Sequence, residues 1–346
     1  MKNKSGYWAD NYQQNRLPVD KAIAEIQSGQ RIFIGSSSGE PQHLVKGLAD
    51  ASLMFTDLEI VRLFSAESTS LSRIADRSKS QNLNIRSFYL GSANSESFKG
   101  DLRFITPINL SEIDRLIKSR MLPIQVALIQ VTPPDDFGWM SLGISVDVTA
   151  VAAEAADLVI AQVNKNMPRV QGRSNIHVND IDIFVEYDED LRAIGEYPEV
   201  AAAQNIARYV SRLVDDGSTM QMSLGATSDA NITALMEKND LGIHTQYVTN
   251  TIMKLMAMGV VTNRRKGFNE GKIICSNAIG TKDLYDLLDN NSAVEFHPSK
   301  YVNDPRIISQ NNKMVAMNIG KEIDLTGQVA ADALAYNNFS GVTGIV

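Results

Sequence analysis

Short apolar runs rich in β-branched residues alternate along this chain with longer amphipathic stretches, and this rhythm constrains the fold more than any other feature. Runs of this length suit buried parallel strands, because each such strand is followed by a helix that crosses over the sheet. The runs that we predict as strands are 32–34, 58–61, 87–90, 125–131, 158–163, 259–261, 273–274 and 314–317. The pattern predicts an α/β fold with mostly parallel strands, and at roughly 150 residues per domain the 346 residues correspond to about two domains.

One helix stands out between the predicted strands, over residues 199–214. Pro198 lies at its expected start, and Asp215-Asp216-Gly217 ends its apolar pattern. The side chains expected to form its buried stripe are Val200, Ile206, Val210 and Leu213. We expect this helix to connect the two halves of the chain.

Each half contains a strand that ends in a loop of small residues and then opens a helix. The loop 35–41 follows strand 32–34, and the loop 223–229 follows residues 220–222. Backbone N–H groups at such a helix start favour an anion or a developing oxyanion. Doubly wound domains also use small residues at these turns for structural reasons alone, so the spacing leaves both interpretations open.

The charge pattern argues against two classes of partner. The chain has 33 Lys and Arg residues against 40 Asp and Glu residues, a net charge of −7, and its longest basic cluster is Arg264-Arg265-Lys266. We therefore expect no nucleic-acid partner. No apolar run approaches the roughly 18 residues of a membrane span, and residues 1–7 lack an apolar targeting segment, so we expect a cytoplasmic protein with no membrane contact.

The cysteine and histidine residues predict neither a disulfide nor a metal site. Cys275 is the single cysteine and lies in an apolar run, which favours a buried small hydrophobe over a reactive thiol. The four histidines, at 43, 177, 244 and 297, do not have the spacing of metal ligands.

Ordered blocks along nearly the whole chain resemble one known family. The blocks are 34–35 with 39–44, 132–135 with Gly138 and 141–143, 161–164 with 167–169 and Gly172, 176–178, 216–217, 240–245, 301–305 and 322–329. They resemble the acetyl-CoA hydrolase/transferase family of class I coenzyme A transferases, which includes 4-hydroxybutyrate and succinyl-CoA:acetate transferases. The resemblance implies two similar open α/β domains of the NagB/RpiA/CoA-transferase type, at residues 1–196 and 197–346. It also implies an acyl-CoA cleft between them, a small carboxylate as second substrate, no permanently bound cofactor, and a homodimer or hetero-oligomer.

The family nucleophile is the most important departure from this resemblance. In the family a glutamate follows the His-Thr of the segment that matches 242–245, and its carboxylate attacks the thioester and then carries CoA covalently. This chain has Gln246 at that position. A neutral amide is a far poorer nucleophile, and by analogy with other nucleophile deletions its cost is on the order of 10⁶ in turnover.

Further departures fall on the loops that the family places around the thioester. The family loop Gln-x-Gly-x-Gly reads Gln221-Met222-Ser223-Leu224-Gly225 here, and Ser37 stands where relatives often have glycine. The family turn Ser-Gly-x-Gly-Gly-Gln, which lies against CoA, corresponds to 340–345. Gly341 and Gly344 match that turn, Thr343 replaces a glycine, and several dozen residues that relatives carry afterwards are absent. Several coordinated departures favour natural loss or redirection of activity over a laboratory substitution.

Other candidate site residues have two interpretations each. Glu40 either orients substrate or is a first-turn carboxylate favoured by the helix dipole. His244 is expected to orient its loop, and Asn318, in a block near the cleft, either binds CoA or packs a strand end. The basic turn 264–266 either meets CoA phosphates or is solvated.

Two hypotheses follow. The first is an acyl-CoA transferase or hydrolase whose activity is lost, weakened or redirected because Gln246 replaces the nucleophile, with Gln221, Ser223 and Gly225 around the thioester and Gly39 on the CoA side. The alternative is a non-catalytic protein that binds acyl-CoA or serves as the partner subunit of an active complex.

Overall fold

The first half of the chain forms a seven-stranded sheet. The structure is a computed structural model, and it describes residues 7–63, 83–88, 103–195, 201–320, 322–330, 333–334 and 337–338. Its strands are β1 (Arg31–Ile34), β2 (Glu59–Arg62), β3 (Asn84–Ser87), β4 (Arg103–Ile105), β5 (Val126–Val131), β7 (Leu158–Val163) and β10 (Ile183–Glu186). All six pairings are parallel, in the order β10-β7-β5-β1-β2-β3-β4. The predicted mixed α/β fold with parallel sheets is confirmed.

Helices cover both faces of this sheet. They are α1 (Trp8–Gln14), α2 (Val19–Ala24), α3 (Gln42–Asp50), α4 (Leu110–Lys118) and α5 (Thr149–Ala155). Ile32 and Ile34 of β1 pack on one face with α2 and α3, whereas Phe33 packs on the other with α4 and α5. Successive side chains of a strand point to opposite faces, so a continuous apolar run such as β1 is buried from both sides.

The second half forms smaller parallel sheets. One contains β11 (Thr219–Met222) between β12 (Gly242–Ile243) and β17 (Met314–Met317), and another contains β14 (Ile273–Cys275), β16 (Val294–Phe296) and β8 (Gln171–Gly172). A parallel bridge between His244 and Ile274 joins the two. The edge strand β8 comes from the first half, and Gly172 permits its approach, because a Cβ there would lie 2.4 Å from the carbonyl oxygen of Phe296.

The remaining elements complete the described residues. The helices are α6 (Ala201–Leu213), α7 (Ala226–Thr233), α8 (Asn250–Ala257), α9 (Lys282–Leu288), α10 (Ser299–Val302) and α11 (Pro305–Ile308). The short strands are β6 (Trp139–Ser141) with β9 (Asn175–His177), β13 (Tyr247–Val248) with β15 (Asn277–Ala278), β18 (Glu322–Ile323) with β19 (Val329–Ala330), and β20 (Ala333–Leu334) with β21 (Asn337–Asn338). Within these ranges no helix has both the length and the apolar character needed to cross a bilayer.

Two expectations about local structure were wrong. Residues 259–261 do not form a strand, because the N–H groups of Val260 and Val261 donate to the carbonyl of Leu255 and close the end of α8. In α6 the expected stripe is correct only at Val210, which packs against the core, whereas Ile206 and Leu213 are 46% and 81% exposed. Its buried face consists of small side chains, Ala203 and Ala207, which let the helix approach the protein closely.

Where we predicted a strand at 87–90, the observed strand β3 ends at Ser87, and residues 89–90 lie outside the described ranges. Residues 199–200, at the start of the predicted helix, also lie outside them. One buried apolar cluster contains residues of both halves, among them Ala127, Met220 and Phe296. The division into domains 1–196 and 197–346 stays a prediction.

Candidate functional site

The first loop of the candidate site lies where the order of the seven-stranded sheet reverses. β1 is flanked by β2 on one side and β5 on the other, and ligand crevices of open α/β sheets lie at the carboxyl ends of such strands. The loop 35–41 leaves β1 at this point. Gly39 is required there, because a Cβ would lie 2.5 Å from the Cβ of Ser145. Ser37 adopts a left-handed conformation with φ of 59°.

Glu40 is buried beside the start of α3. Its side chain accepts a hydrogen bond from the amide of Gln42 at 3.1 Å, and its carbonyl accepts one from Gln130 at 3.2 Å. The N–H groups of His43 and Leu44 donate to the amide oxygen of Gln162 at 3.2 and 3.4 Å. These two N–H groups at the start of α3 therefore bind a side chain of the protein, and anion binding by the loop 35–41 stays a prediction.

The second loop has one position that requires glycine. Gly225 has φ of 126° and precedes α7, whereas Ser223 has no left-handed conformation. Ser223 therefore needs no left-handed backbone conformation where the family loop has glycine. Its N–H donates to the carbonyl of Met317 at 3.2 Å, so this donor is already used within the sheet. Gln221 is buried in β11, and its Oε1 has no hydrogen-bond partner among the described residues.

Gln246 is buried one residue after Thr245, at the carboxyl edge of the second sheet. Its Nε2 donates to the Oγ of Ser299 at 3.2 Å, whereas its buried Oε1 has no partner in the described part of the chain. Its carbonyl accepts hydrogen bonds from the N–H groups of Ser276 and Asn277 at 3.2 and 3.0 Å. The side-chain amide of Gln246 is therefore held by a hydrogen bond at Nε2 only, among the described residues.

The strand register places three of the predicted site residues at equivalent positions, each one residue beyond an aligned neighbour. Met222 pairs with Met317 in β17, and the N–H of Met222 donates to the Oγ of Thr245 at 3.2 Å. One residue further along each segment lie Ser223, Asn318 and Gln246. Asn318 is exposed, in contrast to buried Gln246. The predicted CoA-binding residues Gly341, Thr343 and Gly344 lie outside the described residues.

His244 lies on the same side of its strand as Gln246 and also contacts α10. Its Nε2 donates to the carbonyl of Val302 at 2.8 Å, and burial lowers the pKa of His244 to about 4. The ring is therefore neutral near pH 7, and its hydrogen bond to Val302 fixes its orientation.

One residue of the basic turn 264–266 differs from both interpretations, whereas Arg264 and Arg265 are exposed. Lys266 is fully buried, and its Nζ donates to the carbonyls of Ile243 and Lys272 at 2.8 and 2.9 Å. Burial lowers the pKa of Lys266 to about 7. Because it is buried, the side chain of Lys266 is neither solvated nor able to reach a phosphate. It supports β12, the strand that leads to Gln246. Cys275 is buried as expected, and burial raises the pKa of its thiol.

Sequence reasoning missed a buried polar cluster that links the loop 35–41 to the segment around Gln246. Its members are Ser36, Ser145, Asp147 and Asn277, all at most 2% exposed. The polar residues near the 141–143 block gave a weak signal for Asp147, but nothing in the sequence pairs it with Asn277, which lies 130 positions away. The described residues contain no group of three or more His, Cys, Asp or Glu side chains suited to a metal ion.

Comparisons with known proteins agree with this arrangement. The acetyl-CoA hydrolase/transferase N-terminal domain matches residues 2–196, and the C-terminal domain of the same family matches residues 280–346. The 4-hydroxybutyrate coenzyme A transferase of Clostridium kluyveri is 35% identical over 98% of this chain and 78% of its own length. The succinyl-CoA:acetate/propanoyl-CoA:succinate CoA transferase of Fasciola hepatica is 32% identical over 98% of this chain and 69% of its own.

Two solved structures share the fold. RipA from Yersinia pestis superposes with a TM-score of 0.89 at 28% identity, covering 95% of this chain and 78% of RipA. The 4-hydroxybutyrate CoA-transferase from Porphyromonas gingivalis superposes with a TM-score of 0.82 at 27% identity, covering 93% of this chain and 77% of that protein. The chain therefore belongs to the acetyl-CoA hydrolase/transferase family.

Proposed function

We propose that this chain binds acyl-CoA thioesters and a small carboxylate in a cleft between residues 1–196 and 197–346, and that Gln246 leaves its CoA transfer weak, lost or redirected. Three of the proteins described above are named as coenzyme A transferases, two for 4-hydroxybutyrate and one for succinyl-CoA:acetate and propanoyl-CoA:succinate transfer. The observation that carries the proposal is the buried amide of Gln246 at the carboxyl edge of its sheet, where the family has glutamate.

Glutamine has an amide nitrogen where glutamate has a carboxylate oxygen, and this difference decides whether residue 246 can act as a nucleophile. A glutamate carboxylate attacks the thioester carbonyl and releases the CoA thiolate. The thiolate then attacks the glutamyl carbonyl of the resulting mixed anhydride, which expels the acyl group as a free carboxylate and leaves CoA bound to the enzyme as a thioester. The amide of Gln246 lacks the negative charge for the first step. A water that donates a hydrogen bond to its Oε1 is the remaining nucleophile, and its attack releases the free acid and CoA in a slow hydrolysis.

Restoring the carboxylate tests the proposal. Purified wild type and Gln246→Glu are incubated with acetyl-CoA and a labelled carboxylate, while thiol release is followed in parallel. We expect label exchange only in Gln246→Glu, and thiol release without exchange in wild type. Full exchange in wild type contradicts loss of the nucleophile. Absence of acyl-CoA binding to wild type at millimolar concentration, measured by calorimetry, contradicts the cleft itself.

Exposed apolar side chains favour a second candidate, a non-catalytic subunit that acts within a homodimer or hetero-oligomer. Ile323 and Val329 on the β18–β19 hairpin are 70% and 60% exposed, and Leu325 at its tip is fully exposed. Such a patch is typical of a protein contact. The test is the mass of the wild type and Leu325→Glu in solution: a larger assembly that dissociates in the variant supports this candidate, and a monomer in both contradicts self-association. A cytoplasmic location stays a prediction.

A further inference from the structure

Asp147 is a buried carboxylate that neither the sequence analysis nor the proposed chemistry uses. It is 1% exposed, and donors of three different segments converge on it. Oδ1 accepts hydrogen bonds from the N–H and Oγ of Thr149 at 2.9 and 3.0 Å. Oδ2 accepts one from Nδ2 of Asn277 at 3.0 Å and one from the Oγ of Ser36. A carboxylate accepts about four hydrogen bonds, so its capacity is filled.

These contacts join the loop 35–41 to the segment that carries Gln246. Ser36 belongs to the loop after β1, and its carbonyl also accepts a hydrogen bond from Ser145 at 2.6 Å. Asn277 belongs to β15, and its N–H donates to the carbonyl of Gln246 at 3.0 Å. One carboxylate therefore lies one hydrogen bond from the first loop and two from residue 246.

A second route leads from Asp147 to the side chain of Gln246. The backbone carbonyl of Asp147 accepts a hydrogen bond from the N–H of Ser299 at 3.1 Å. The Oγ of Ser299 in turn accepts the Nε2 of Gln246 at 3.2 Å. Asp147 thus supports the backbone of residue 246 through Asn277 and its side chain through Ser299.

We propose that Asp147 is the positioning residue that fixes the loop 35–41 relative to residue 246 and thereby sets where a bound thioester lies in the cleft. This inference rests on the proposed acyl-CoA function only for its last step. An amide at position 147 cannot replace the carboxylate, because its Nδ2 would face either the donors of Thr149 or those of Ser36 and Asn277 and cannot accept a hydrogen bond from them.

The first experiment needs no ligand. Amide hydrogen exchange is measured on the full-length wild type, Asp147→Asn and Asp114→Asn. Asp114 is a matched control, since it is 8% exposed and pairs with Lys300 of α10 at 3.3 Å but does not reach the first loop. We expect Asp147→Asn to speed exchange on the order of tenfold in both 36–45 and 244–250, and Asp114→Asn to leave both segments unchanged. If Asp147→Asn does not fold, Ser36→Ala is expected to speed exchange in the same two segments by a smaller factor.

The second experiment separates positioning from general stability. In the Gln246→Glu background, Asp147→Asn is expected to lower kcat of CoA transfer about tenfold with a smaller change in KM, and the reciprocal swap Asp147→Asn/Asn277→Asp to recover part of it. Unchanged exchange in both segments, or equal acceleration in the Asp114→Asn control, overturns the inference. An inactive Gln246→Glu protein overturns the proposed function instead, and the exchange experiment still decides the role of Asp147.

Discussion

The amide Nε2 of Gln246 donates to the Oγ of Ser299 at 3.2 Å, while the Oε1 of the same side chain is buried without a partner among the described residues. This one-sided contact fixes the rotation of the amide. In a variant with glutamate at this position, the same Ser299 hydroxyl would donate to one carboxylate oxygen and leave the other for attack.

Removing this hydroxyl is expected to cost stability. Ser299→Ala leaves the buried Nε2 of Gln246 without an acceptor, so we expect the free energy of unfolding to fall by about 1–3 kcal/mol. Urea denaturation measures it. Ser309→Ala is the control, because the Oγ of Ser309 makes an exposed hydrogen bond to the carbonyl of Arg306. Equal stability of the two variants would show that the Gln246–Ser299 contact is not formed in solution.

The left-handed conformation of Gly225 predicts a cost for any side chain. With φ of 126° at the start of α7, Gly225→Ala is expected to destabilise the protein by about 1–3 kcal/mol and to weaken acyl-CoA binding. Thermal unfolding and calorimetry measure the two effects. Gly195→Ala serves as the control, because a Cβ at Gly195 meets no atom within 4 Å. A stable Gly225→Ala protein that binds acyl-CoA like wild type would argue against this backbone conformation.

Gly39 makes a close contact that a compensating change can relieve. In Gly39→Ala the new Cβ would lie 2.5 Å from the Cβ of Ser145, so we expect a lower melting temperature. Adding Ser145→Gly removes the opposing atom but also the hydroxyl that donates to the carbonyl of Ser36, so its cost is measured in the single variant Ser145→Gly. We expect the double variant to cost less than the sum of the two single variants, and a cost equal to that sum would show that the clash is not the cause.

Burial of Lys266 predicts a pH dependence of stability. Its pKa falls from 10.5 to about 7 on folding, so the unfolded chain binds more protons between these values, and the contribution of Lys266 to the free energy of unfolding rises as pH increases from about 7 to 10. Below pH 7 both states are protonated and this contribution is constant. Lys266→Met is expected to lose this rise, which is on the order of a few kcal/mol.

Denaturation at several pH values between 6 and 10 tests this prediction. Lys313→Met provides the control, since Lys313 is an exposed lysine that pairs with Asp215. We expect it to keep the wild-type pH dependence. If Lys266→Met shows the same slope as wild type, Lys266 is protonated in the folded protein throughout this range.

The sequence by itself determined the features that depend on local order. The apolar runs placed β5 and β7 to within one residue, since a strand buried on both faces must be apolar throughout. The ordered blocks identified the family, and the position after His244 and Thr245 predicts Gln246 as the chemical departure.

Only the tertiary structure decided what depends on residues distant in the chain. The pattern of α6 could not reveal that Ala203 and Ala207 face the protein while Ile206 and Leu213 face outward, because burial depends on what packs against the helix. In the sequence Lys266 belongs to a basic cluster that is typical of an exposed turn. In the structure its Nζ donates to two backbone carbonyls in the interior. Asp147 lies in the first half of the chain and Asn277 in β15 of the second half, and only folding brings the two side chains into contact. No spacing in the sequence records such a contact.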